Sequence, residues 1–450
     1  MRIINPLLTL TIKINEDRMR TSQKIIFLLS VFSFIFILIL FEFLQTKPII
    51  NFTAAYISTS IIYLFLCWQI LKFDLLKKHI IALIGLGILI RIAFMFVHPI
   101  GSDDYYRYLW DGKVQAAGIN PYSYAPADSN LQHIHSDILP SKVNFPEMKT
   151  IYPPLSQVIF FFAYLIGGES FIGLKFLLLI FDILSLYGIY LTLRLLKLPD
   201  KNILLYTLCT LPLFQFFIDA HVDGFGLTFL IFSIYFYLKE KKLISLLFLS
   251  ASICIKPIGF ILVPILFFHE KNWKYKIPSV AIPILICAFA YLPFVFTGSP
   301  FQALMQFTEN WTFNGLVFDI LDPLIKNNQT TRIFCGIFFM IIYISIILSQ
   351  KEFLSKLFLS LFLLYIFSPV VHPWYLSWLA ILLPFIPKWS GIFYVALISF
   401  TSFTVLNYQL NGVWKDYTLV LLFEYIPVII LFILELGKIK YFNSKQTLES

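Results

Sequence analysis

Two adjacent carboxylates, Asp103 and Asp104, open the stretch GSDDYYRYLWDGKVQAAGINPYSYAP (101–126), directly after an apolar run of membrane length. A carboxylate at the mouth of an apolar cavity is poorly hydrated, so its pKa rises and it becomes a usable general base. If the stretch is helical, Asp103, Arg107 and Asp111 fall at i, i+4 and i+8 on one face, with Asp104 about 100° away. The two acids then take different roles. The plainer alternative is a helix N-cap with solvated acids in its first turn. Other polar groups stand out against the same apolar background. DAHVDG (219–224) carries Asp219, His221 and Asp223. Lys256 precedes Pro257, SPVVHPWYLSW (368–378) carries His372, WTFNG (311–315) carries Trp311 and Asn314, and Arg91 lies inside an apolar run. Ionisable groups in or beside membrane spans are costly and default to functional candidates. Plainer roles exist for each: caps for Asp219 and Asp223, an interfacial position for His372, a snorkelling Lys256.

The elements that must position these groups are membrane spans. Of 450 residues, 59% are apolar and 13% charged, where a soluble domain carries roughly a quarter charged. The chain therefore cannot coat a water-facing surface and reads as an all-α polytopic membrane protein. Apolar runs suited to spans lie at 24–44, 52–72, 80–99, 171–193, 203–219, 224–238, 277–297, 332–349, 354–369, 373–387, 390–407 and 418–436. Segment 243–268 is expected to split at Lys256–Pro257, because Pro inside a helix costs roughly 3 kcal/mol. The expectation is a bundle of about 12–14 helices. PPLSQVIFFFAYLIGG (153–168) is too short to cross and reads as an interfacial helix. The first apolar run is about 20 residues, longer than the h-region of a signal peptide, so it reads as a retained span. Five cysteines all sit in apolar runs without a CxxC pair and read as small buried hydrophobes.

Charge sets the expected orientation. Of 34 Lys and Arg, 23 fall in alternate segments on one side if the termini are cytoplasmic, against 10 on the other, with Arg91 inside a span. That excess scatters through short connections, so the +9 net charge argues topology and not nucleic-acid binding. The expected organisation is a tail and three spans (1–99), an outward loop with its interfacial helix (100–170), core spans (171–297), a second outward loop (298–331) and C-terminal spans with a tail (332–450). Loop 100–152 then faces away from nucleotide pools, and no Gly-rich phosphate loop, GxSxG or HExxH occurs. An enzyme working there must draw on a lipid-linked donor. Glycosyl transfer from a lipid phosphate needs a base on the acceptor hydroxyl and cations on the departing phosphate. Asp103 and Asp104 offer the base; Lys256, Arg107, Arg91 and His372 offer the cations. Tyr105, Trp110, Asp111, His221, Asp223, Trp311 and Asn314 are candidates for holding sugar or acceptor. Asp103, Asp104, His221 and Asp223 are hard ligands suited to Mg2+ or Mn2+ if two loops meet; no other cofactor is called for.

SDDYYRYLWDGKVQAAGINPYSYAPAD followed by TIYPPLSQ resembles the GT-C superfamily of polyprenyl-phosphate-sugar-dependent glycosyltransferases, in its bacterial mannosyltransferase-like branch near glycosyltransferase family 87. DAHVDG, IKP, WTFN and HPWYL follow in matching order, so the resemblance covers roughly 80–440. It implies inverting transfer of a hexose, mannose first, from a polyprenyl phosphate to a lipid-linked or cell-envelope glycan. It further implies one acid of the pair as base, Asp104 being favoured over Asp103 because it leads into the Tyr-Tyr-Arg helix, and a home in a bacterial plasma membrane. The alternative is a transporter or flippase of lipid-linked sugars or polysaccharide. Such proteins commonly carry broken helices in matching positions of two halves, and the sequence offers one break, at Lys256.

Overall fold

A computed structural model describes residues 21–43 and 47–448, all of whose regular structure is helical. The tail with Arg2, Lys13, Arg18 and Arg20 lies outside the described residues. Seven helices are long and apolar enough to cross a bilayer: Thr21–Glu42, Pro48–Lys72, Phe171–Leu196, Trp273–Val295, Asn328–Leu348, Trp389–Asn411 and Thr418–Gly437. At 1.5 Å per residue, 20–26 residues reach about 30–39 Å, matching a hydrocarbon core of ~30 Å. Shorter apolar helices fill the rest: Pro154–Gly167, Asp223–Leu238, Lys242–Ile255, Pro257–His269 and Phe353–Phe367. The chain is a multi-pass membrane protein.

The breaks matter most to function. Helix Lys242–Ile255 ends where Lys256 turns extended (φ −149°, ψ 127°), and the chain resumes at Pro257. Proline lacks the N–H that would continue the ladder and disfavours helix in the residue before it. A second break was not legible from hydropathy. Segments Asp200–Thr207 and Thr210–Ile218 meet at 41°, and the second ends in a π-turn, Leu213–Ile218. Ala220 follows with φ 63°, a left-handed conformation costing an L-residue roughly 1–2 kcal/mol.

Run 373–387 corrects an expected span. It holds only the short turns Pro373–Leu376 and Ser377–Ala380, because Pro373, Pro384 and Pro387 interrupt any ladder. Its residues from Leu376 to Phe385 are buried, so the segment packs inside the bundle. The short helix expected over 153–168 forms as Pro154–Gly167, about 21 Å long.

Candidate active site

The helix Asp104–Ala116 begins at the second acid, with Asp103 at its N-cap position. Asn144, from the long loop that follows, donates one Nδ2 to both acids, at 3.0 Å to Asp103 Oδ1 and 2.8 Å to Asp104 Oδ1. Asp103 is exposed, while the Asp104 side chain keeps 24% of its surface. Of the two acids, Asp104 is the one that faces His221. Burial, reinforced by the charge of Asp103, pushes the Asp104 carboxyl up to about 6, against the opposing hydrogen bond from Asn144.

The expected i, i+4 pair forms on another face. Arg107 Nε lies 3.0 Å from Asp111 Oδ1, and Arg107 also donates to the Met148 carbonyl at 2.9 Å. Gln157 Nε2 donates to Asp111 Oδ2 at 3.0 Å and to Thr150 Oγ1 at 2.8 Å, while Gln115 donates to Gln157. This buried network clamps helix Asp104–Ala116 to Pro154–Gly167 and folds loop 144–150 back over it. Arg107 and Asp111 hold Asn144 in reach of the acids and are spent on each other.

DAHVDG arrives from the π-turn. Asp219 accepts the N–H of Ile100 at 3.1 Å and of Gly101 at 2.7 Å, pinning the start of the acidic loop. Any side chain at position 101 would meet Asp219 Oδ2 and the Phe52 ring, which explains its glycine. His221 is fully buried, its Nδ1 3.8 Å from Asp104 Oδ2 and 3.5 Å from Tyr108 OH, and its Nε2 has no partner among the described residues. Asp223 receives Lys256 Nζ on both carboxylate oxygens at 2.8 Å, and Trp378 Nε1 at 2.7 Å. Lys256 Nζ sits 4.0 Å from the Tyr375 ring centre and retains 22% side-chain exposure. The extended backbone at the Pro257 break is what turns this lysine into the cluster.

Four rings complete the wall. Phe313, His372, Trp374 and His221 stack in succession, with centroids 4.7, 4.3 and 3.6 Å apart. Phe313 is anchored by a bridge to Val370, its N–H donating to the Pro369 carbonyl. Trp311 Nε1 donates to His372 Nε2 at 3.1 Å. An indole nitrogen only donates, so that histidine nitrogen carries a lone pair. Burial, with Lys256 nearby, also lowers the His372 pKa to about 3. His372 is thus neutral, so it holds no charge for a phosphate; Lys256 is the cation of this cluster. Burial and the same neighbours keep His221 uncharged as well.

Of the residues singled out in the sequence, the fold brings together Asp103, Asp104, His221, Asp223, Lys256, His372 and Trp311. It places the others elsewhere. Arg91 is fully buried, its Nε 2.6 Å from Asp182 and its NH1 on the carbonyls of Thr207 and Gly87. Tyr105 is buried against Tyr106 and Phe171, and Trp110 against His135. Asn314 is clamped by Glu424 (3.2 Å to each oxygen), by Asp416 and by Tyr425. Tyr108, one of the helix rings expected to stack on sugar, lies beside His221; Asn144, Trp374, Tyr375 and Trp378 join the site without having been singled out as site residues. The HPWYLSW run was a signal for three of them; Asn144, in an aperiodic loop, gave none.

Asp103, Asp104, His221 and Asp223 are the residues considered above as hard ligands for a divalent ion. Among the described residues no three His, Cys, Asp or Glu side chains gather at metal-binding distance. Asp223 is occupied by Lys256 and Trp378, and Asp103 turns outward.

Comparison with known proteins adds two matches. Residues 32–270 match the family model described as alpha-(1->6)-mannopyranosyltransferase, N-terminal domain, and residues 315–436 match the MptB C-terminal domain. No curated protein matches the chain.

Proposed function

The chain belongs to the alpha-(1->6)-mannopyranosyltransferase family, a membrane mannosyltransferase by its domains and its spans, and from that premise we propose its donor, acceptor and mechanism. The donor is a polyprenyl-phosphate mannose. The acceptor is a hydroxyl of a lipid-linked or cell-envelope glycan on the outer face of a bacterial plasma membrane.

Asp104 takes the acceptor proton. The acceptor oxygen bonds to C1 of the mannosyl unit as the C1–O bond to phosphate breaks on the opposite face, inverting the anomeric centre. The bonding pair leaves with the polyprenyl phosphate, whose charge Lys256 meets. A phosphate is a good leaving group, so this site needs a base and a cation more than an acid. The observation that carries the reading is the partly exposed Asp104 carboxylate beside His221, in one cluster with the partly exposed Lys256 on its buried partner Asp223. Trp374 and Tyr375, half-buried at the same opening, offer ring faces to a sugar.

The transporter reading gains the second helix break, but two family domains of a transferase weigh more. The test is transfer from synthetic polyprenyl-phosphate mannose by the purified full chain. Asp104→Asn should lower turnover by roughly 100- to 10,000-fold, the usual worth of a general base, and Asp103→Asn far less. Full turnover in Asp104→Asn removes the proposed base.

A further inference from the structure

A cavity of about 700 Å³ lies between segment 312–328 and the last spanning helix. None of the residues of the Asp104 cluster lines it. Its volume falls within the range of small-molecule sites, about 300–1,000 Å³. Leu421, Leu422, Ile426, Ile429 and Ile430 form its aliphatic wall. Their spacing keeps them on one helix face over about 13 Å. At the other end, where helix Thr418–Leu448 begins, stand Asp319, Asp322, Asp416, Thr312 and Thr418. Polarity thus grades from carboxylates to aliphatic wall along a membrane-spanning helix, the direction in which a lipid lies.

Charge selects among lipids. Among the described residues no Lys, Arg or His lines the cavity; Arg332 lies behind Phe318 and its charge is matched by Asp322, so a phosphate entering the mouth would face three carboxyl groups with no cation lining the wall. Hydroxyls, by contrast, donate well to carboxylates. Burial and the neighbouring Asp416 push Asp319 up to about 7, so near neutral pH it donates as well as accepts. The cavity also shares a wall with the Asp104 cluster. Thr312 and Leu316 face it, while Phe313 between them stacks on His372, and the Asn314 N–H donates to Asp416 Oδ2 at 3.1 Å. A single stretch of loop separates this acidic, aliphatic-walled cavity from the Lys256 cluster.

We propose that this groove holds an uncharged glycolipid acceptor, its aliphatic chain along Leu422, Ile426 and Ile430 and its first sugar at Asp319 and Asp416. The proposal rests on the reading above that the acceptor is lipid-linked. It sorts the substrates by charge: anionic donor toward Lys256, neutral acceptor toward the aspartates.

The test is saturable binding of tritiated octyl α-D-mannopyranoside to the full chain in phosphatidylcholine nanodiscs, with octyl phosphate as competitor. Ile426→Trp fills the groove from a position already 50% exposed, so it leaves the core untouched; Asp319→Asn with Asp416→Asn keeps shape and removes charge. Binding should weaken about tenfold or more in Ile426→Trp. Octyl phosphate should compete poorly against the native chain and better against the double Asn variant. Equal binding by native and Ile426→Trp proteins, no saturable binding because bulk phospholipid fills the groove, or strong competition by octyl phosphate would each overturn the proposal. Transfer is followed in parallel. If native transfer proceeds and Ile426→Trp leaves the acceptor KM unchanged, the groove falls while the function stands. If no polyprenyl-phosphate sugar is used but mannoside binding is lost in Ile426→Trp, the glycolipid site stands and the donor reading falls.

Discussion

His221 presents its Nδ1 to Asp104 Oδ2 at 3.8 Å while its ring lies flat on Trp374 at 3.6 Å. Because that histidine is buried and uncharged, it sits beside the carboxylate without neutralising it. Lys256, the cation whose charge reaches Asp104, is already bonded to both oxygens of Asp223. Asp104 is therefore an acid without an ionic partner, and its basicity follows from burial.

That arrangement dictates the pH profile. A base works only when ionised, so kcat/KM for transfer should rise with pH through about 6, the value burial and Asp103 set for Asp104, and level off above it. Asp103→Asn removes a like charge and should move the limb to lower pH. Asn144→Leu deletes a hydrogen bond to the ionised form and should move it higher. A pH–rate series on the three proteins decides; a limb unmoved by both substitutions belongs to some other group.

Lys256 should show two separable roles. Lys256→Met alone strands Asp223, which is 1% exposed, and a broken buried pair costs about 3–5 kcal/mol. Adding Asp223→Asn removes the stranded charge while the Asn oxygen still accepts from Trp378, so stability should largely return. Transfer should stay abolished in both variants. Thermal unfolding beside a transfer assay separates the roles, and a double variant that recovers transfer would leave Lys256 a structural residue.

Much of this was readable in the sequence, for identifiable reasons. Pro257 announces the break that delivers Lys256, and the Pro-Pro and Gly-Gly ends of 153–168 announce a short helix. The acids of 101–126 stand out because the background is so apolar. What escaped is long-range. Nothing local says that Arg107 is consumed by Asp111, that Trp311 fixes the lone pair of His372, or that Asn144 crosses some 40 residues to bridge both acids. The π-turn before Asp219 is equally silent, since FQFFI is a sound helix by composition. Types of residue were legible; which partner each one spends its charge on was not.

Metal removal should leave transfer intact. With Asp223 taken by Lys256 and Trp378, the cluster offers a divalent ion Asp104, His221 and an outward-turned Asp103, fewer firm ligands than tight oxygen-ligand sites supply. Incubation with EDTA followed by assay in metal-free buffer should retain native rates. Loss of activity that added Mg2+ or Mn2+ restores would show that the two loops rearrange around an ion.

Arg91 tests the difference between a cation near the site and one that belongs to the bundle. Its Nε is 2.6 Å from Asp182, which lies about 16 Å of helix below Phe171, and two backbone carbonyls take its NH1. The guanidinium joins helix Lys77–Phe94 to Phe171–Leu196 and to the broken segment at Thr207, holding in place the turn that leads to DAHVDG. Arg91→Met should therefore destabilise by about 3–5 kcal/mol, and Arg91→Met with Asp182→Asn, whose amide oxygen still accepts the Tyr206 hydroxyl, should recover most of that loss. In both, the protein that remains folded should transfer mannose with a native donor KM. A phosphate-binding arginine predicts the reverse, a raised donor KM in the well-folded double variant. Unfolding midpoints and donor titrations on the same preparations distinguish the two.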